Sequence, residues 1–510
     1  MASEGGRFLQ YEEPNIVEIL IIISFFTFLS IAEWGSAKII RAGIIGQIAI
    51  GIIYGQPLAN ILEHIWQETF LYLGYIGLIL IIFEGGLTTR LDLLKQNFLL
   101  SLAGACTGVV VPIGFSFLLL CLGYGYGAVE TFIIGAALSA TSLGTTFAVI
   151  SGASKDVDLS QTRVGAVLVS AAVIDDVTGL VMSSVIHDLG TLASGNGPSL
   201  GWLIGRPIVA SAAMAILTPL LSKYIFAPGF RKYIEHGFAK YNHLSNILLM
   251  VLVLSAFISI AAYAGTSILF GAFLAGSFLT YLPSKHPDGP FVVLSREEGE
   301  NQKEKSPTFA HTFERYCLDA QKYILAPLFF ASIGFAIPFL DLWTGEAIWK
   351  GILYSLLMLV AKFVVGIWIV ISEAFFPPAE GADATTKKIE QSITESSERD
   401  SGIEDALEKG RNSEDMAQIG TNGTENKTAI KTAWAPALLL GLAMVARGEI
   451  GLLIIEIGYN NTDYVSESGF LTGIWAILLN TILGPMAVGL LVKYKGASIG
   501  RGAWGLQSGV

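Results

Sequence analysis

The sequence has little charge and few cysteines for its length of 510 residues. Only 14% of the residues are Asp, Glu, Lys or Arg, whereas a typical soluble domain has about 25%. Because 53% are hydrophobic and the mean hydropathy is +0.60, the composition excludes a soluble enzyme. The net charge of −11 argues against nucleic acid as a partner, since nucleic-acid binding needs a basic surface. Three cysteines, of which Cys106 and Cys121 share one apolar run, exclude a disulfide scaffold.

The chain has instead a series of apolar stretches of about 20 residues, each long enough for a helix to cross a hydrocarbon core of about 30 Å. They predict an all-α, multi-pass membrane protein surrounded by lipid, with about thirteen transmembrane helices. The predicted spans are 15–34, 39–55, 70–86, 97–122, 130–150, 163–187, 201–222, 245–262, 266–282, 322–340, 347–373, 433–458 and 468–492.

The distribution of lysine and arginine predicts the orientation of these spans. The segments that follow the odd-numbered spans, including the C-terminal tail, hold 26 of the 31 basic residues. The segments on the other side hold three, Arg7, Arg206 and Lys350. Because positive residues resist translocation, the N-terminus is expected outside and the C-terminus in the cytoplasm. The sequence does not distinguish the plasma membrane from an organelle membrane.

Two polar segments interrupt the series of spans. Residues 374–432 are rich in Ser, Thr, Glu, Asp and Lys, and they predict a disordered cytoplasmic loop. Residues 283–321 predict a second, shorter loop on the same side, and residues 493–510 a cytoplasmic tail.

Span 6 carries two adjacent carboxylates, Asp175 and Asp176, in the middle of an apolar helix. One Asp at a helix centre costs about 2.5–3.5 kcal/mol on insertion scales, so both are expected to face protein or a watery cavity. Neighbouring residues point about 100° apart around a helix, which allows one carboxylate to face a cavity and the other a packed helix. Lys362 lies at mid-depth in span 11 and needs a carboxylate partner, for which the acidic pair is the best placed by depth.

Spans 5 and 12 have sequences that predict interrupted helices. Span 5 centres on G-A-A-L-S-A-T-S-L-G-T-T at 135–146, and span 12 on G-L-A-M-V-A-R-G-E-I-G at 441–451. Unwound backbone at mid-membrane is tolerated where it is buried or lines a cavity, and paired interrupted helices mark the binding sites of transporters. With span 7 as a linker, spans 5 and 12 are the fifth helices of two six-helix halves of opposite orientation. The fold predicted is therefore an inverted repeat with two crossing broken helices.

Five motifs, in this order and placement, resemble the monovalent cation:proton antiporter superfamily. The resemblance is closest to its second branch, the Kef-like and electrogenic sodium/proton exchangers, and it covers most of the chain. The motifs are F-E-G-G-L at 83–87, S-A-T-S-L-G at 139–144, A-A-V-I-D-D-V-T-G-L at 171–180, A-K-F-V-V-G at 361–366 and A-R-G-E-I-G-L at 446–452.

The resemblance implies a role for each polar residue of these motifs. Asp176 is expected to carry the ion and the proton, and Asp175 to pair with Lys362. The hydroxyl groups of Thr141 and Ser142 are expected to assist the ion. Arg447 and Glu449 are expected to have structural or gating roles. The family often has proline where this chain has Ala140, so the break in span 5 has to depend on glycine and hydroxyl residues.

The resemblance also implies a domain organisation and a homodimer. One part would be a dimerising scaffold, and the other would be a core that holds the ion site and moves. The expected segments are scaffold 1–96 and 245–346, core 97–200, 347–373 and 433–492, and linker 201–244.

The function expected is exchange of Na⁺, or of K⁺ or Li⁺, for protons, with no cofactor and no metal other than the transported cation. A K⁺/H⁺ antiporter and a channel or sensor on the same fold stay open as alternatives. An intramembrane aspartyl protease is disfavoured, because its two aspartates have to face one water from separate helices. A symporter of organic anions is disfavoured by the Asp pair with Lys362.

Overall fold

The computed structural model describes residues 13–40, 42–88, 97–141, 162–192, 200–283, 307–375, 422–501 and 504. Its regular elements within these ranges are helices. Those of eight residues or more are α1 Ile16–Ile40, α2 Gly43–Tyr54, α3 His64–Thr88, α4 Phe98–Ser116, α5 Ala128–Ser139, α6 Arg163–Leu192, α7 Leu200–Leu221, α8 His243–Ala264, α9 Ile268–Tyr281, α10 Phe309–Tyr316, α11 Ala326–Ala336, α12 Gly345–Phe375, α13 Asn422–Ala443, α14 Glu449–Asn460 and α15 Glu467–Arg501.

The predicted all-α membrane class is confirmed. Among the described residues, eight helical stretches are long and apolar enough to cross a membrane, and five shorter apolar helices accompany them. The count of thirteen spans stays a prediction, because length and composition alone establish eight. Three of the shorter elements, Ala128–Ser139, Ala433–Ala443 and Ile450–Asn460, adjoin the interruptions after Ser139 and Ala443, and an interrupted helix covers only part of the bilayer.

Parts of the predicted polar segments are helical. The helix α13 begins at Asn422, inside the predicted loop 374–432, and α15 continues to Arg501 in the predicted tail. Within the predicted loop 283–321, α10 forms a short amphipathic helix whose Phe309 and Phe313 are buried. Polar composition concealed these helices, because a helix that packs along one side needs only a narrow apolar stripe.

The described helices pack in two groups. The first contains α1, α2, α3, α8, α9 and α11, and the second contains α4, α5, α6, α12, α13, α14 and α15. Contacts of α9 with α6, of α11 with α14 and of α2 with α15 join the groups, and α7 touches both α6 and α9. These groups use the helices of the predicted scaffold and core; the domain roles themselves stay predictions.

Close packing in the first group depends on glycine at the crossing of α3 and α9. A Cβ atom at Gly86 would collide with the carbonyl oxygen of Phe273, and one at Gly276 would collide with that of Phe83. Small residues of this kind allow membrane helices to approach through their backbones. Gly86 of the F-E-G-G-L motif is therefore a packing residue.

In the second group, Trp504 ties together the ends of three helices. Its indole Nε1 donates a hydrogen bond to Glu373 Oε2 on α12 at 2.9 Å. Its carbonyl accepts from the amide of Val164 on α6 at 3.2 Å, and the Arg163 guanidinium lies 4.5 Å from its ring centroid. The side chain is fully buried beyond the end of α15.

Candidate functional site

Two helices stop inside the second group and leave backbone groups without helical partners. The helix α5 ends at Ser139, and Ala140 follows in an extended conformation with φ −61° and ψ 135°. The helix ends here without a proline, and Ser139 Oγ donates a hydrogen bond to the carbonyl of Ala136 at 2.8 Å. The helix α13 ends at Ala443, and residues 444–448 are non-helical before α14 begins. The last carbonyls of a helix need other donors, and here side chains supply them.

Lys362 on α12 supplies the first of these donors. Its side chain is fully buried, and Nζ donates to the Ser139 carbonyl at 2.7 Å and to Thr141 Oγ1 at 3.0 Å. Asp175 Oδ2 on α6 lies 3.4 Å from the same nitrogen. An ammonium group has three donors, so this geometry gives each a partner.

Arg447 supplies donors to both interruptions. Its Nη1 lies 3.0 Å from the carbonyl oxygen of Ala140, 3.3 Å from that of Met444 and 3.4 Å from that of Ser139. Its own carbonyl accepts a hydrogen bond from Thr481 Oγ1 on α15 at 3.1 Å. The guanidinium is fully buried, and its Nε and Nη2 atoms have no hydrogen-bond partner in the described part of the chain. Arg447 therefore fastens two broken helices to each other.

The acidic pair lies beside these breaks. Asp175 and Asp176 are both buried, at 0% and 7% exposure. Asp175 Oδ1 has no hydrogen-bond partner within the described ranges, although Oδ2 faces Lys362. Thr141 connects the two breaks, since its Oγ1 receives the Lys362 bond and donates to the Met444 carbonyl at 3.3 Å.

The structure brings together five of the seven residues that the sequence singled out. These are Asp175, Asp176, Thr141, Lys362 and Arg447. Ser142 lies outside the described residues, and of Glu449 only the backbone is described, as the first residue of α14. Asp175 and Lys362, which the resemblance pairs, lie within reach of each other. The roles of these residues stay predictions.

Sequence reasoning missed the backbone oxygens of Ser139, Ala140 and Met444, and it missed Thr481. No side-chain pattern marks a freed carbonyl, because every residue has one. Thr481 is a common residue on an apolar helix and gave no signal.

The arrangement can bind a cation or a proton in a water-poor interior. Two carboxylates and two basic groups are buried close together, and carbonyl and hydroxyl oxygens surround them. Oxygen ligands of these kinds suit hard cations. Because a buried charge is costly unless it is compensated, the carboxylates have to be neutralised by a basic group, a proton or a bound cation.

Comparison with known proteins agrees with this chemistry. A family profile described as sodium/hydrogen exchanger, transmembrane, matches residues 19–376. The chain is similar to a Na(+)/H(+) antiporter of Enterococcus hirae, with 24% identity over 460 residues, which are 88% of this chain and 91% of that protein. It is also similar to the Na(+)/H(+)-K(+) antiporter GerN of Bacillus cereus, with 24% identity over 331 residues, 64% of this chain and 73% of that protein.

A solved structure shares the fold. The sodium proton antiporter MjNhaP1 from Methanocaldococcus jannaschii at pH 8 superposes with a TM-score of 0.51 and 17% sequence identity, covering 94% of this chain and 97% of that chain. The predicted multi-pass antiporter fold is thereby confirmed. Because the family profile spans more than half of the sequence, the chain belongs to the sodium/hydrogen exchanger family.

Proposed function

We propose that this chain is a secondary active antiporter that exchanges a monovalent cation, Na⁺ in the first place, for protons by alternating access. The observation that carries the proposal is the burial of Asp175, Asp176 and Lys362 beside two interrupted helices. Membership of the sodium/hydrogen exchanger family supports it, as do relatives that are named as Na(+)/H(+) antiporters. Such a protein moves its substrates without transforming them, so it is a transporter and not an enzyme.

Asp176 is the proposed ion-binding residue, with Thr141 and Ser142 as assisting hydroxyl groups. A buried carboxylate has to be neutralised, and a proton and a cation are two ways to do so. The two cannot occupy the same oxygens together, so binding of one releases the other. Exchange follows directly from this competition.

Asp175 is proposed to hold Lys362, and the charge state of that lysine decides the stoichiometry. If Lys362 gives up a proton when the cation binds, two protons move for each cation and transport is electrogenic. The 3.4 Å distance between Lys362 Nζ and Asp175 Oδ2 supports such a coupling, because a change at one group alters the field at the other. Electrogenic exchange is therefore the version that we propose.

Alternating access is proposed to come from movement between the two helix groups. The second group holds all the described site residues, and the first would act as a scaffold and form the interface of a homodimer. Rocking of one bundle against another around a central site is common in transporters with inverted repeats.

The finer assignments concern branch and orientation. The adjacent pair Asp175–Asp176 supports placement in the second, Kef-like branch, and the distribution of Lys and Arg supports an outside N-terminus and a cytoplasmic C-terminus.

The orientation is tested by cysteine labelling. In a cysteine-free background, Asp463→Cys should react with an impermeant maleimide added outside cells, and Tyr241→Cys should react only after permeabilisation. The reverse pattern would overturn the orientation.

The function is tested by proton flux in proteoliposomes, with Na⁺, K⁺ and Li⁺ titrated separately, with and without an imposed voltage. We expect saturable, Na⁺-driven proton movement that responds to voltage. Saturation by K⁺ at lower concentration than Na⁺ would indicate a K⁺/H⁺ antiporter. A conductance that does not saturate and needs no counter-ion would indicate a channel.

The residue assignment is tested in the same vesicles with Asp176→Asn. We expect it to abolish cation-driven proton movement, because the amide binds neither a proton nor a cation in place of the carboxylate. Asp188→Asn is the matched control, since Asp188 lies near the end of the same helix, beside His187. Exchange retained in Asp176→Asn would remove this residue from its role.

A further inference from the structure

Glu456 is an acidic side chain in the apolar half-helix α14 that the exchange site described above does not use. Its Oε2 accepts a hydrogen bond from Asn460 Nδ2 at 2.8 Å. Its Oε1 is shielded from solvent and has no hydrogen-bond partner among the residues that the structure describes. One oxygen of this carboxylate is therefore held in place, and the other has unused capacity to bind a ligand.

The contacts of α14 with its own helix group define which side of the helix is covered. Gly451 and Gly458 face α5, Ile455 faces α15, and Ile450 and Asn461 face α6. The close pairs are Gly451 with Ala137, Gly458 with Ile133, Ile455 with Gly473, Ile450 with Gly179, and Asn461 with Gly190.

Glu456 points away from all of these contacts. Successive helix residues are about 100° apart, so the five contacting positions lie between about 120° and 260° from Glu456 around the axis, and Tyr459, which stacks on Phe470 of α15, lies at about 300°. Asn460 lies about 40° from Glu456 on one flank, and Leu452, about 40° away on the other flank, is 1% exposed, so protein covers part of this side as well. Because α14 also contacts α11 of the first helix group, we infer that the remaining side, which carries Glu456 and Leu452, faces the boundary between the two groups.

Glu456 also lies at an intermediate depth. It is eight residues beyond Gly448, where the interruption of span 12 ends, and this spacing corresponds to about 12 Å along a helix axis. Beyond it, Asn460 ends the helix and is exposed. The carboxylate thus lies between the central site and the surface formed by residues 461–466.

We propose that Glu456, held by Asn460, is a second binding site for the transported monovalent cation, on the route between the 461–466 surface and the central aspartates. A carboxylate with one unused oxygen at the boundary of the two helix groups replaces part of the hydration shell as the cation moves inward. The proposal rests on the proposed function, because it assumes that a cation passes this boundary. The rival explanation is a hydrogen bond between Glu456 and Asn460 that serves only the helix end.

The test uses Glu456→Gln, which keeps the shape of the side chain and removes its charge. Initial rates of Na⁺-driven proton movement are measured in right-side-out and inside-out vesicles, at equal pH on both sides and zero voltage. Because exchange is reversible, the ratio of maximal rate to KM has to change by the same factor in both directions. If Glu456 lies on the route of the ion, we expect the variant to have about a tenfold higher KM for Na⁺ that enters from the 461–466 side. For Na⁺ that leaves to this side, we expect a lower maximal rate at an unchanged KM.

Glu467→Gln is the matched control, because Glu467 is an exposed carboxylate on the same side of the membrane. The same change in KM from both sides in Glu456→Gln relative to wild type, or the same KM shift in Glu467→Gln, would overturn the proposal. Glu456→Asp keeps the charge, so its KM should lie closer to the wild-type value than that of Glu456→Gln. A merely structural bond to Asn460 would not predict this difference. Wild-type protein without any Na⁺-driven proton movement would instead refute the proposed function, so the two failures are distinguishable.

Discussion

Lys362 and Arg447 donate to the same backbone oxygen, the carbonyl of Ser139, at 2.7 Å and 3.4 Å. This oxygen terminates α5, where the helix dipole concentrates partial negative charge. Two buried cations from different segments therefore meet at one helix end. The position of Lys362, and hence of Asp175, is fixed by backbone geometry as well as by the ion pair.

Replacing Lys362 with Met should destabilise the protein and remove exchange. The substitution leaves Asp175 buried without its cation, a loss that costs about 3–5 kcal/mol in buried ion pairs. The double variant Lys362→Met with Asp175→Asn should recover part of the stability, because the uncompensated charge is gone. Thermal unfolding followed by tryptophan fluorescence measures both effects.

The control for this double-mutant cycle of Lys362 and Asp175 is Lys350→Met. Lys350 pairs with Glu346 at a site where the glutamate is 63% exposed, and such pairs contribute about 1 kcal/mol or less. Strictly additive effects of the two substitutions at Lys362 and Asp175 would contradict their pairing.

Replacing Arg447 with Gln should lower the melting temperature and abolish exchange. The substitution removes the donor to the Ala140 carbonyl and one of the two donors to the carbonyls of Ser139 and Met444, and a buried carbonyl left without a donor costs about 1–3 kcal/mol. Arg206→Gln is the control, since Arg206 donates to two carbonyls at an exposed helix end. Equal loss of stability in both variants would show that the position of Arg447 at the breaks has no special importance.

Thr141→Val tests the hydroxyl that joins Lys362 to the second break. The loss of a hydrogen bond to a charged donor corresponds to about 1.5–3 kcal/mol, so we expect a clear rise in KM for Na⁺ and a lower melting temperature. Thr141→Ser should restore both, because the hydroxyl returns. Thr131→Val, on the helix α5 that precedes the break, is the control, since Thr131 Oγ1 is buried without a hydrogen-bond partner in the described part of the chain. A normal KM in Thr141→Val would exclude this hydroxyl from the ion route.

Gly86→Ala should reduce the yield of folded protein, because the added methyl group collides with the Phe273 carbonyl. Gly85→Ala is a control within the same motif, since a Cβ atom at Gly85 meets nothing within 4 Å. Size-exclusion chromatography of the detergent-solubilised variants measures the monodisperse fraction. Equal yields would show that α3 and α9 can separate at low cost.

The sequence was sufficient to predict the class of fold and to single out five polar residues that the structure brings together. Mid-membrane charges such as Asp175 and Lys362 are so costly that their presence alone indicates partners. The small residues around Ala140 and Gly448 indicated where helices end, and the structure places ends at Ser139 and Ala443.

Other features could not be read from the sequence. The carbonyl of Ser139 is free to accept hydrogen bonds from Lys362 and Arg447 only because the helix ends there, and the position of a helix end depends on tertiary packing. Glu456 looked like one acidic residue near the end of a span, and its unused oxygen depends on where α14 meets its neighbours. The helical parts of the polar segments were missed because a short amphipathic stripe is weak against a polar background.

The indole of Trp504 has a mechanical consequence. By joining the beginning of α6 to the ends of α12 and α15, it links the helix that carries the aspartates to the helix that carries the lysine. If one of these helices moved along its axis relative to the other, the contacts of Trp504 would break. In the proposed alternating access, these contacts favour tilting of the whole second helix group against its surroundings.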